Sequence, residues 1–438
     1  MKQRIKLGVV CLARETYDVA AAASLYEKIR ADLLKLKEVD LEMVPELVIS
    51  IDEAKKNARL MAEACVDGLI CISGTFHLGH LVLEFNKHLH VPILLWGLDE
   101  LPYNGGKIRL NSVCGINLDA SNLYKAGVNS YKAFVGQKID ENWVDAIRVL
   151  VALRTAHVGL LGYRANGFFN LSLDDSSLYG TTGILIDHYE LSDVYTMPVA
   201  SSEIERREAQ IRSIFDVSGI TAAQVTKVAE LSAKLAAFYK TNKLNAVAIR
   251  CWPEFARDFG IAPCAAMSLL QSEGMILACE GDLEGALSMI AHQAMGAETP
   301  YLFDFSQFNF EENFALLWHD GVAPCNLRDG HSVCSLDSYF ANGKGVTADF
   351  VLKPGRISIA RIDTARGKRR LFLQKATGVP MEKELKGTYL KVIFDRPVKE
   401  VLDLVLKNGI AHHASMVYGD YIQPLKVAAE IMSWEVIE

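Results

Sequence analysis

The chain has 438 residues, of which 50% are hydrophobic and 23% charged, and its formal net charge at pH 7 is −7. This composition is typical of a globular protein with two to four domains, and the acidic balance provides no basic surface for nucleic acid. No apolar run reaches membrane-spanning length and no signal-peptide pattern is present, so we expect a cytoplasmic protein without membrane partners. The nine cysteines include no Cys-x-x-Cys motif, which favours a reducing compartment.

Strand and helix patterns alternate over the first third of the chain, as expected for a mainly parallel sheet. The predicted strands are Leu7–Ala13, Glu46–Ile51, Gly68–Ser73 and Pro92–Gly97. The predicted helices between them include Ala20–Lys37 and Ile51–Ala64. The loops that follow the strands contain Arg14, Thr75 and His77, which are candidates for ligand binding at the carboxyl edge of the sheet. A domain boundary is predicted near residue 155, after the helix Glu141–Arg154.

A second alternating unit is predicted over residues 156–305. Its predicted strands are His157–Gly162, Ile184–Asp187, Ala246–Cys251, Met275–Cys279 and Tyr301–Phe305. From residue 306 onward the pattern changes to short β-rich runs separated by turns with Gly and Pro. The expected fold class is therefore α/β, with two Rossmann-like parallel-sheet domains (1–155 and 156–305) followed by a smaller β-rich C-terminal domain (306–438).

Two apolar runs of the second unit each end on an acidic residue. Met275-Ile-Leu-Ala-Cys leads to Glu280, and Tyr301-Leu-Phe leads to Asp304. Short apolar runs are typical of buried parallel strands, whose carboxyl ends form the edge where α/β folds bind ligands. Far downstream, His412 and His413 precede another apolar run. Two carboxylates and an imidazole are a ligand set for Mn²⁺, Zn²⁺, Fe²⁺ or Co²⁺, so the sequence predicts a metal site and leaves both histidines as possible ligands.

Each of these residues also has a structural interpretation. A helix is predicted directly after Glu280, so either Glu280 or Asp282 could cap its N-terminus. Histidine pairs at strand edges are often simply solvated. Arg250 could form an ion pair with Glu254 four residues later.

The order of these motifs resembles the L-fucose isomerase and L-arabinose isomerase superfamily. The matching elements, in chain order, are Cys279-Glu280, Phe303-Asp304, Trp318-His319 and Ala411-His412-His413. Arg250-Cys-Trp-Pro-Glu-Phe and Val417-Tyr-Gly-Asp420 are similar to the fucose isomerase-related branch, as is Asp rather than Glu at position 304. The resemblance runs along the whole chain. It implies an aldose–ketose isomerase of carbohydrate metabolism, an intramolecular oxidoreductase that binds a divalent metal, preferably Mn²⁺, and forms a homo-oligomer, either a trimer or a hexamer.

The same resemblance implies roles for individual residues. Glu280, Asp304 and His413 match the metal ligands, and the two acids are expected to act as catalytic base and acid around a cis-enediol intermediate of the open-chain sugar. The residues expected to contact the sugar are Arg14, Thr75, His77, Arg164, Arg250, His319 and His412. The expected substrates are a deoxyhexose, a pentose or a C6-anionic hexose such as sulfoquinovose, the last because several arginines follow or lie near strand ends. The group that opens the sugar ring is not assigned.

Two other functions stay open at this point. Paired α/β lobes are also typical of non-catalytic sugar-binding or sensor proteins, although the missing export signal and the histidine pair argue against that function. A metal-stabilised enediolate also serves sugar lyases and aldolases. The sequence does not separate an isomerase from a lyase.

Overall fold

The computed structural model describes residues 2–438, which form two compact units. The first unit comprises residues 2–151 and 423–434, and the second comprises residues 152–422 and 435–438. The strands are β1 Ile5–Leu12, β2 Val39–Met43, β3 Gly68–Ser73, β4 Ile93–Gly97, β5 Tyr131–Val135, β6 His157–Leu161, β7 Leu185–Tyr189, β8 Ala246–Ile249, β9 Leu277–Ala278, β10 Tyr301–Asn309, β11 Phe314–His319, β12 Ser335–Phe340, β13 Gly345–Val351, β14 Gly355–Ala365, β15 Lys368–Val379, β16 Thr388–Phe394, β17 His413–Tyr418 and β18 Glu435–Ile437. The α-helices are α1 Val19–Leu33, α2 Ile51–Glu63, α3 His80–Leu89, α4 Ser112–Lys125, α5 Glu141–Thr155, α6 Asp175–Thr182, α7 Leu191–Tyr195, α8 Ser201–Ile214, α9 Ala222–Thr241, α10 Cys264–Ser272, α11 Leu283–Ala294, α12 Val398–Asn408 and α13 Ile422–Ile431.

The first unit contains a five-stranded parallel sheet with the strand order β2-β1-β3-β4-β5. Strands β1, β3 and β4 match the predicted segments to within two residues. The strand predicted at Glu46–Ile51 is wrong, because the second strand lies upstream, at Val39–Met43. Ser50 and Glu53 form a capping box that draws Ile51 into α2, and Val48 forms only an isolated bridge with Leu12.

The second unit contains two sheets. The first is a four-stranded parallel sheet with the order β7-β6-β8-β9, so that β9 lies at its edge. The other has nine strands in the order β12-β13-β16-β11-β10-β17-β14-β15-β18. Strand β15 also pairs with β16, so the six strands from β16 through β11, β10, β17 and β14 to β15 close into a barrel. Leu277 of the parallel sheet and Phe303 of the barrel belong to one continuous hydrophobic core.

The expected fold class is confirmed, since parallel α/β sheets are followed by a β-rich C-terminal part. The prediction for Tyr301–Phe305 is wrong in one respect, because this segment is not a parallel strand. It forms the first half of β10, which is antiparallel to both β11 and β17 in the barrel. Asp304 therefore lies inside a strand and not at its carboxyl end. The division of residues 156–438 into two domains stays a prediction.

Candidate active and metal site

Glu280 lies on a sharp turn directly after the short strand β9. The φ angles of Glu280 and Gly281 are 61° and 74°, so two successive residues adopt the left-handed conformation. A left-handed backbone at a non-glycine residue costs on the order of 1 kcal/mol or more. Glycine is required at position 281, because a Cβ atom there would lie 2.4 Å from the carbonyl oxygen of Tyr163. This turn places the Glu280 carboxylate beside His412 and His413.

Strand register brings Asp304 and His413 together, because the two residues are directly opposite each other on β10 and β17. Opposed residues of an antiparallel pair project from the same face of the sheet. His413 Nε2 lies 3.2 Å from Asp304 Oδ1 and 3.5 Å from Glu280 Oε2. His412 Nε2 lies 3.0 Å from the same Glu280 oxygen. The structure thus brings these four residues, all predicted from the sequence, into one cluster.

A buried ion pair between Asp282 and Arg361 contacts His413. Arg361 Nη1 donates to Asp282 Oδ2 at 2.7 Å and to the backbone carbonyl of His413 at 3.0 Å. His413 Nδ1 donates to the same carboxylate oxygen at 3.0 Å. Burial opposes ionisation of Asp282, but the Arg361 charge and the His413 hydrogen bond hold the pKa of this carboxyl far below its ordinary value. Asp282 also accepts a hydrogen bond from the backbone N–H of Gly285, so the same side chain caps α11.

The contact with Asp282 fixes the tautomer of the neutral His413 ring. Since Nδ1 is the donor to the carboxylate, the neutral ring keeps its lone pair on Nε2, the atom that faces Glu280 and Asp304. Burial lowers the pKa of His413, but the hydrogen bond to Asp282 and the nearby Asp304 carboxylate outweigh burial and raise the pKa to about 10. A cation between the same carboxylates would compete with this proton for Nε2.

His319 has the opposite tautomer. Its Nδ1 accepts the backbone N–H of Asp320 at 2.8 Å, which places the proton of the neutral ring on Nε2. Burial lowers the pKa of His319, which favours the neutral ring. The ring stacks on that of His413 with the centroids 5.3 Å apart. The neutral His319 ring is therefore a hydrogen-bond donor in the cluster, whereas His413 offers a lone pair at Nε2 when its ring is neutral.

His412 borders the cluster on a partly exposed aromatic surface. Asn170 donates its amide to His412 Nδ1 at 3.2 Å, so His412 Nε2 is the donor toward Glu280. The His412 ring stacks on Phe168 with the centroids 5.4 Å apart, and Phe168 meets Trp252 edge to face at 6.3 Å. These rings provide an apolar surface beside the acids, of the kind that packs against the C–H face of a sugar.

Buried polar atoms of the cluster fit a divalent cation. Asp304 Oδ1, His319 Nε2 and His413 Nε2 are buried and have no hydrogen-bond partner among residues 2–438. Buried polar atoms normally have partners, so their convergence marks the place of a coordinating or hydrogen-bonding group. Ligand atoms of Asp304, His319 and His413 lie within 4.8 Å of one another, as do those of Glu280, His412 and His413. Mixed carboxylate and imidazole donors suit Mn²⁺ and related metals.

The two predicted arginines of the second unit differ in their partners. Arg250 follows β8 and forms an ion pair with Glu254 at 2.6 Å, the structural interpretation that the sequence left open. Arg164 follows β6, and its guanidinium carbon lies 4.6 Å from the centroid of the Tyr163 ring.

The remaining predicted contacts, Arg14, Thr75 and His77, lie in the first unit. Thr75 Oγ1 accepts the backbone N–H of Arg14 at 2.8 Å. The His77 side chain is buried, with Nε2 2.8 Å from Asp119 Oδ2 and Nδ1 2.9 Å from the carbonyl oxygen of Thr75. Arg14 is exposed at the end of β1. A sugar-binding role of these residues stays a prediction.

Sequence reasoning missed Arg361 and considered Asp282 only as a helix cap. The available signal was a single arginine in the apolar run Ile357-Ser-Ile-Ala-Arg361-Ile, because a charge inside a buried strand needs a buried partner. The sequence does not identify that partner, which lies 79 residues earlier in the chain.

Known proteins that are similar to this chain include sugar isomerases. Residues 8–155 match the family described as "Fucose/sulfoquinovose isomerase, N-terminal domain". A sulfoquinovose isomerase of Priestia aryabhattai is 26% identical over 97% of both chains, and one of Alkalicoccus urumqiensis is 25% identical over 98% of both. Among solved structures, the periplasmic binding protein component of an arabinose transporter from Shewanella sp. ANA-3 has 9% identity and a TM-score of 0.17, over 56% of this chain and 72% of that one. That score is too low to support a sugar-binding or sensor function.

The motif order, the matched N-terminal region and the full-length relatives define a sugar isomerase. The expected resemblance to the fucose isomerase-related family is confirmed by the match over residues 8–155 and by the relatives that align with nearly the whole chain. The expectation of an aldose–ketose isomerase is confirmed at the level of this class. Within residues 2–438, the structure contains no helix long and apolar enough to span a membrane.

Proposed function

We propose that this enzyme is a divalent-metal-dependent isomerase that interconverts the aldose and ketose forms of open-chain sulfoquinovose. The observation that carries the proposal is the convergence of the Glu280, Asp304 and His413 side chains, with buried atoms of Asp304 and His413 left without hydrogen-bond partners. The substrate is supported by the relatives named sulfoquinovose isomerase, which align with nearly the whole chain.

Glu280, Asp304 and His413 would hold the ion, and Mn²⁺ is the metal that we propose. When bound, the ion would supply a Lewis acid for the oxygens on C1 and C2 of the sugar. Among the three clustered histidines, His413 is the one whose neutral ring directs a lone pair at both acids. His319 and His412 present N–H donors instead, which suits hydrogen bonds to sugar oxygens and to Glu280.

The reaction needs two proton transfers, one between C1 and C2 and one between their oxygens, through a cis-enediol. Glu280 and Asp304 are our candidates for both transfers, because a carboxylate can ligate through one oxygen and exchange a proton through the other. Burial opposes ionisation of both acids, but neighbouring histidines outweigh it, lowering the pKa of Glu280 and bringing that of Asp304 to about 2. Both carboxylates are therefore ionised at neutral pH, the form that can accept a proton, and their low pKa values make each of them a weak base.

The proposal is tested by assaying ketose formation from a panel of aldoses with Mn²⁺ and again after EDTA. We expect sulfoquinovose to give an intact six-carbon ketose with Mn²⁺ and no product after EDTA. Shorter carbon fragments would indicate a lyase. An undiminished rate after complete metal removal would contradict metal dependence.

The ligand assignment is tested by metal analysis of Glu280→Gln, Asp304→Asn and His413→Ala. Each variant is expected to lose most of the one equivalent of metal that the wild type binds. His331→Ala is the matched control, because His331 is exposed and outside the cluster. Stoichiometric metal in all three cluster variants would rule out this site.

We also propose, from the family resemblance, that the enzyme is a homo-oligomer, a trimer or a hexamer. Light scattering coupled to size-exclusion chromatography measures the mass directly. A mass close to the 48.4 kDa of one chain would contradict this proposal.

A further inference from the structure

Arg164 belongs to a loop, residues 162–170, that is attached to the turn bearing Glu280. The backbone N–H of Ala165 donates to the carbonyl oxygen of Glu280 at 3.3 Å. The two backbones are so close that a Cβ atom on Gly281 would lie 2.7 Å from the Cα atom of Arg164. The position of Arg164 is therefore tied to that of a proposed metal ligand.

The other end of the same loop contacts the cluster as well. Phe168 stacks on His412 with the centroids 5.4 Å apart, and Asn170 donates to His412 Nδ1 at 3.2 Å. A ligand with one end at the acids would thus have this loop along its side.

The guanidinium of Arg164 has aromatic neighbours and no carboxylate partner among residues 2–438. Its central carbon lies 4.6 Å from the centroid of the Tyr163 ring and 5.8 Å from that of Phe169, and it also hydrogen-bonds the Tyr163 hydroxyl. Both rings are at least half exposed, at 50% and 74%. An arginine stacked on rings keeps N–H donors at its edge, which suits paired hydrogen bonds to a flat or tetrahedral anion.

Three arginines of the second unit follow or lie near strand ends, namely Arg164, Arg250 and Arg328. The contacts of Arg164 differ from those of the other two. Arg250 is neutralised by Glu254 at 2.6 Å. Arg328 is exposed and donates to the carbonyl oxygen of Cys325, in its own short turn, at 3.3 Å. Arg164 therefore combines an uncompensated charge with a backbone link to Glu280.

We propose that Arg164 binds the anionic end group of the substrate, a sulfonate on C6, while the C1 end of the sugar lies at Glu280 and Asp304. This inference rests on the proposed function and assigns the residue that selects a sulfonated sugar over its neutral counterpart.

The test compares kcat/KM for sulfoquinovose with kcat/KM for the same sugar carrying hydrogen in place of the sulfonate. We expect Arg164→Gln to lower the ratio of the two values by about 10- to 100-fold, because the variant loses charge-assisted hydrogen bonds to the sulfonate. Arg164→Lys keeps the charge but loses the planar fork, so it should lower the ratio less than Arg164→Gln. Arg328→Gln is the matched control and should leave the ratio within twofold of the wild type.

An unchanged ratio in Arg164→Gln would overturn the proposal, and so would an equal loss for both sugars, which indicates a displaced loop. A loss of the preference for sulfoquinovose in Arg328→Gln would indicate that Arg328, and not Arg164, binds the sulfonate. Calorimetric titration of sulfoquinovose separates this inference from the proposed function, because it detects binding whether or not the sugar is turned over. Wild-type binding that weakens tenfold in Arg164→Gln supports the assignment even if no ketose forms, and an unchanged Kd contradicts it even if ketose does form.

Discussion

Asp282 combines three structural tasks in one buried carboxylate. It accepts a hydrogen bond from His413 Nδ1, forms an ion pair with Arg361 and caps α11 through the backbone N–H of Gly285. Removing one partner of a buried ion pair leaves an uncompensated charge and is much costlier than removing both. Glu284 and Asp363 lie 4.0 and 3.6 Å from the same guanidinium, so part of the Arg361 charge stays compensated without Asp282.

Asp282→Asn is expected to weaken metal binding by about 10- to 100-fold, because the carboxylate that orients a metal-binding histidine is lost while the shape is kept. Competition with a fluorescent chelator measures the affinity. Asp420→Asn is the matched control, since Asp420 is exposed and pairs with Lys375. Equal affinities of wild type and Asp282→Asn would contradict an orienting role.

The sequence predicted much of the cluster because its signals are local. Glu280 and Asp304 each follow an apolar run, and the histidine pair precedes another, so all of them could be found without knowing the pairing of strands. The contact of Arg361 with Asp282 depends on the register of β14 against β17 and on the position of α11. A linear pattern contains no information on such register, which is why the sequence could not assign this pair.

At the scale of elements, two left-handed turns meet where the loop after β6 contacts the turn after β9. Tyr163 and Gly281 have φ angles of 66° and 74°, and the Tyr163 carbonyl occupies the space that a side chain at 281 would need. The fit of these turns decides where Glu280 points.

Gly281→Ala is expected to destabilise the protein by about 1–3 kcal/mol and to lower isomerase activity, because it adds a steric clash to the strain of a left-handed backbone. Gly274→Ala is a close control, since Gly274 has a φ of 92° and a Cβ atom added there would have no neighbour within 4 Å. Gly274→Ala should add backbone strain but no steric clash, so it should be less stable than the wild type and equally active. Urea denaturation and initial rates measure the two effects, and indistinguishable variants would show that the contact with Tyr163 is unimportant.

Two strands were predicted wrongly, one in the direction of its pairing and one in its position. Tyr301–Phe305 has the apolar pattern of a buried parallel strand, but its partners β11 and β17 make it antiparallel. A short apolar run looks alike in both settings, since either kind of strand can be covered on both faces. The displaced second strand has a more local cause, because the capping box of Ser50 and Glu53 starts a helix in the same segment whose apolar pattern predicts a strand.

At the scale of the molecule, the cluster joins the two sheets of the second unit. Glu280 follows the parallel sheet, whereas Asp304 and His413 belong to the barrel, so a shared cation would link both sheets. Binding that requires the folded arrangement stabilises it by mass action, by about 2.7 kcal/mol at a metal concentration 100 times Kd.

Mn²⁺ is accordingly expected to raise the Tm of the second unit by roughly 5–10 °C, and EDTA should reverse the shift. Differential scanning calorimetry measures it. His413→Ala should melt at the same temperature with and without metal. A metal-induced shift of the same size in that variant would place the stabilising ion elsewhere.

A buried histidine on α11 sets an acid limit on stability. His292 on α11 is buried, its Nδ1 lies 3.0 Å from Ser415 Oγ, and burial lowers its pKa to about 3. Below pH 6.5 the unfolded chain binds a proton at this residue that the folded chain does not, so stability falls with decreasing pH by about 1.4 kcal/mol per unit until the folded pKa is reached. Glu284 acts in the opposite direction, because burial raises its pKa to about 7 and its proton favours the folded state as the pH falls.

Glu284 is unchanged in His292→Leu, so the difference in unfolding free energy between wild type and this variant isolates the histidine. Between pH 6.5 and 4.5, urea titrations should find the wild type losing about 2–3 kcal/mol relative to His292→Leu; parallel pH profiles would mean that His292 takes up its proton equally well in the folded chain.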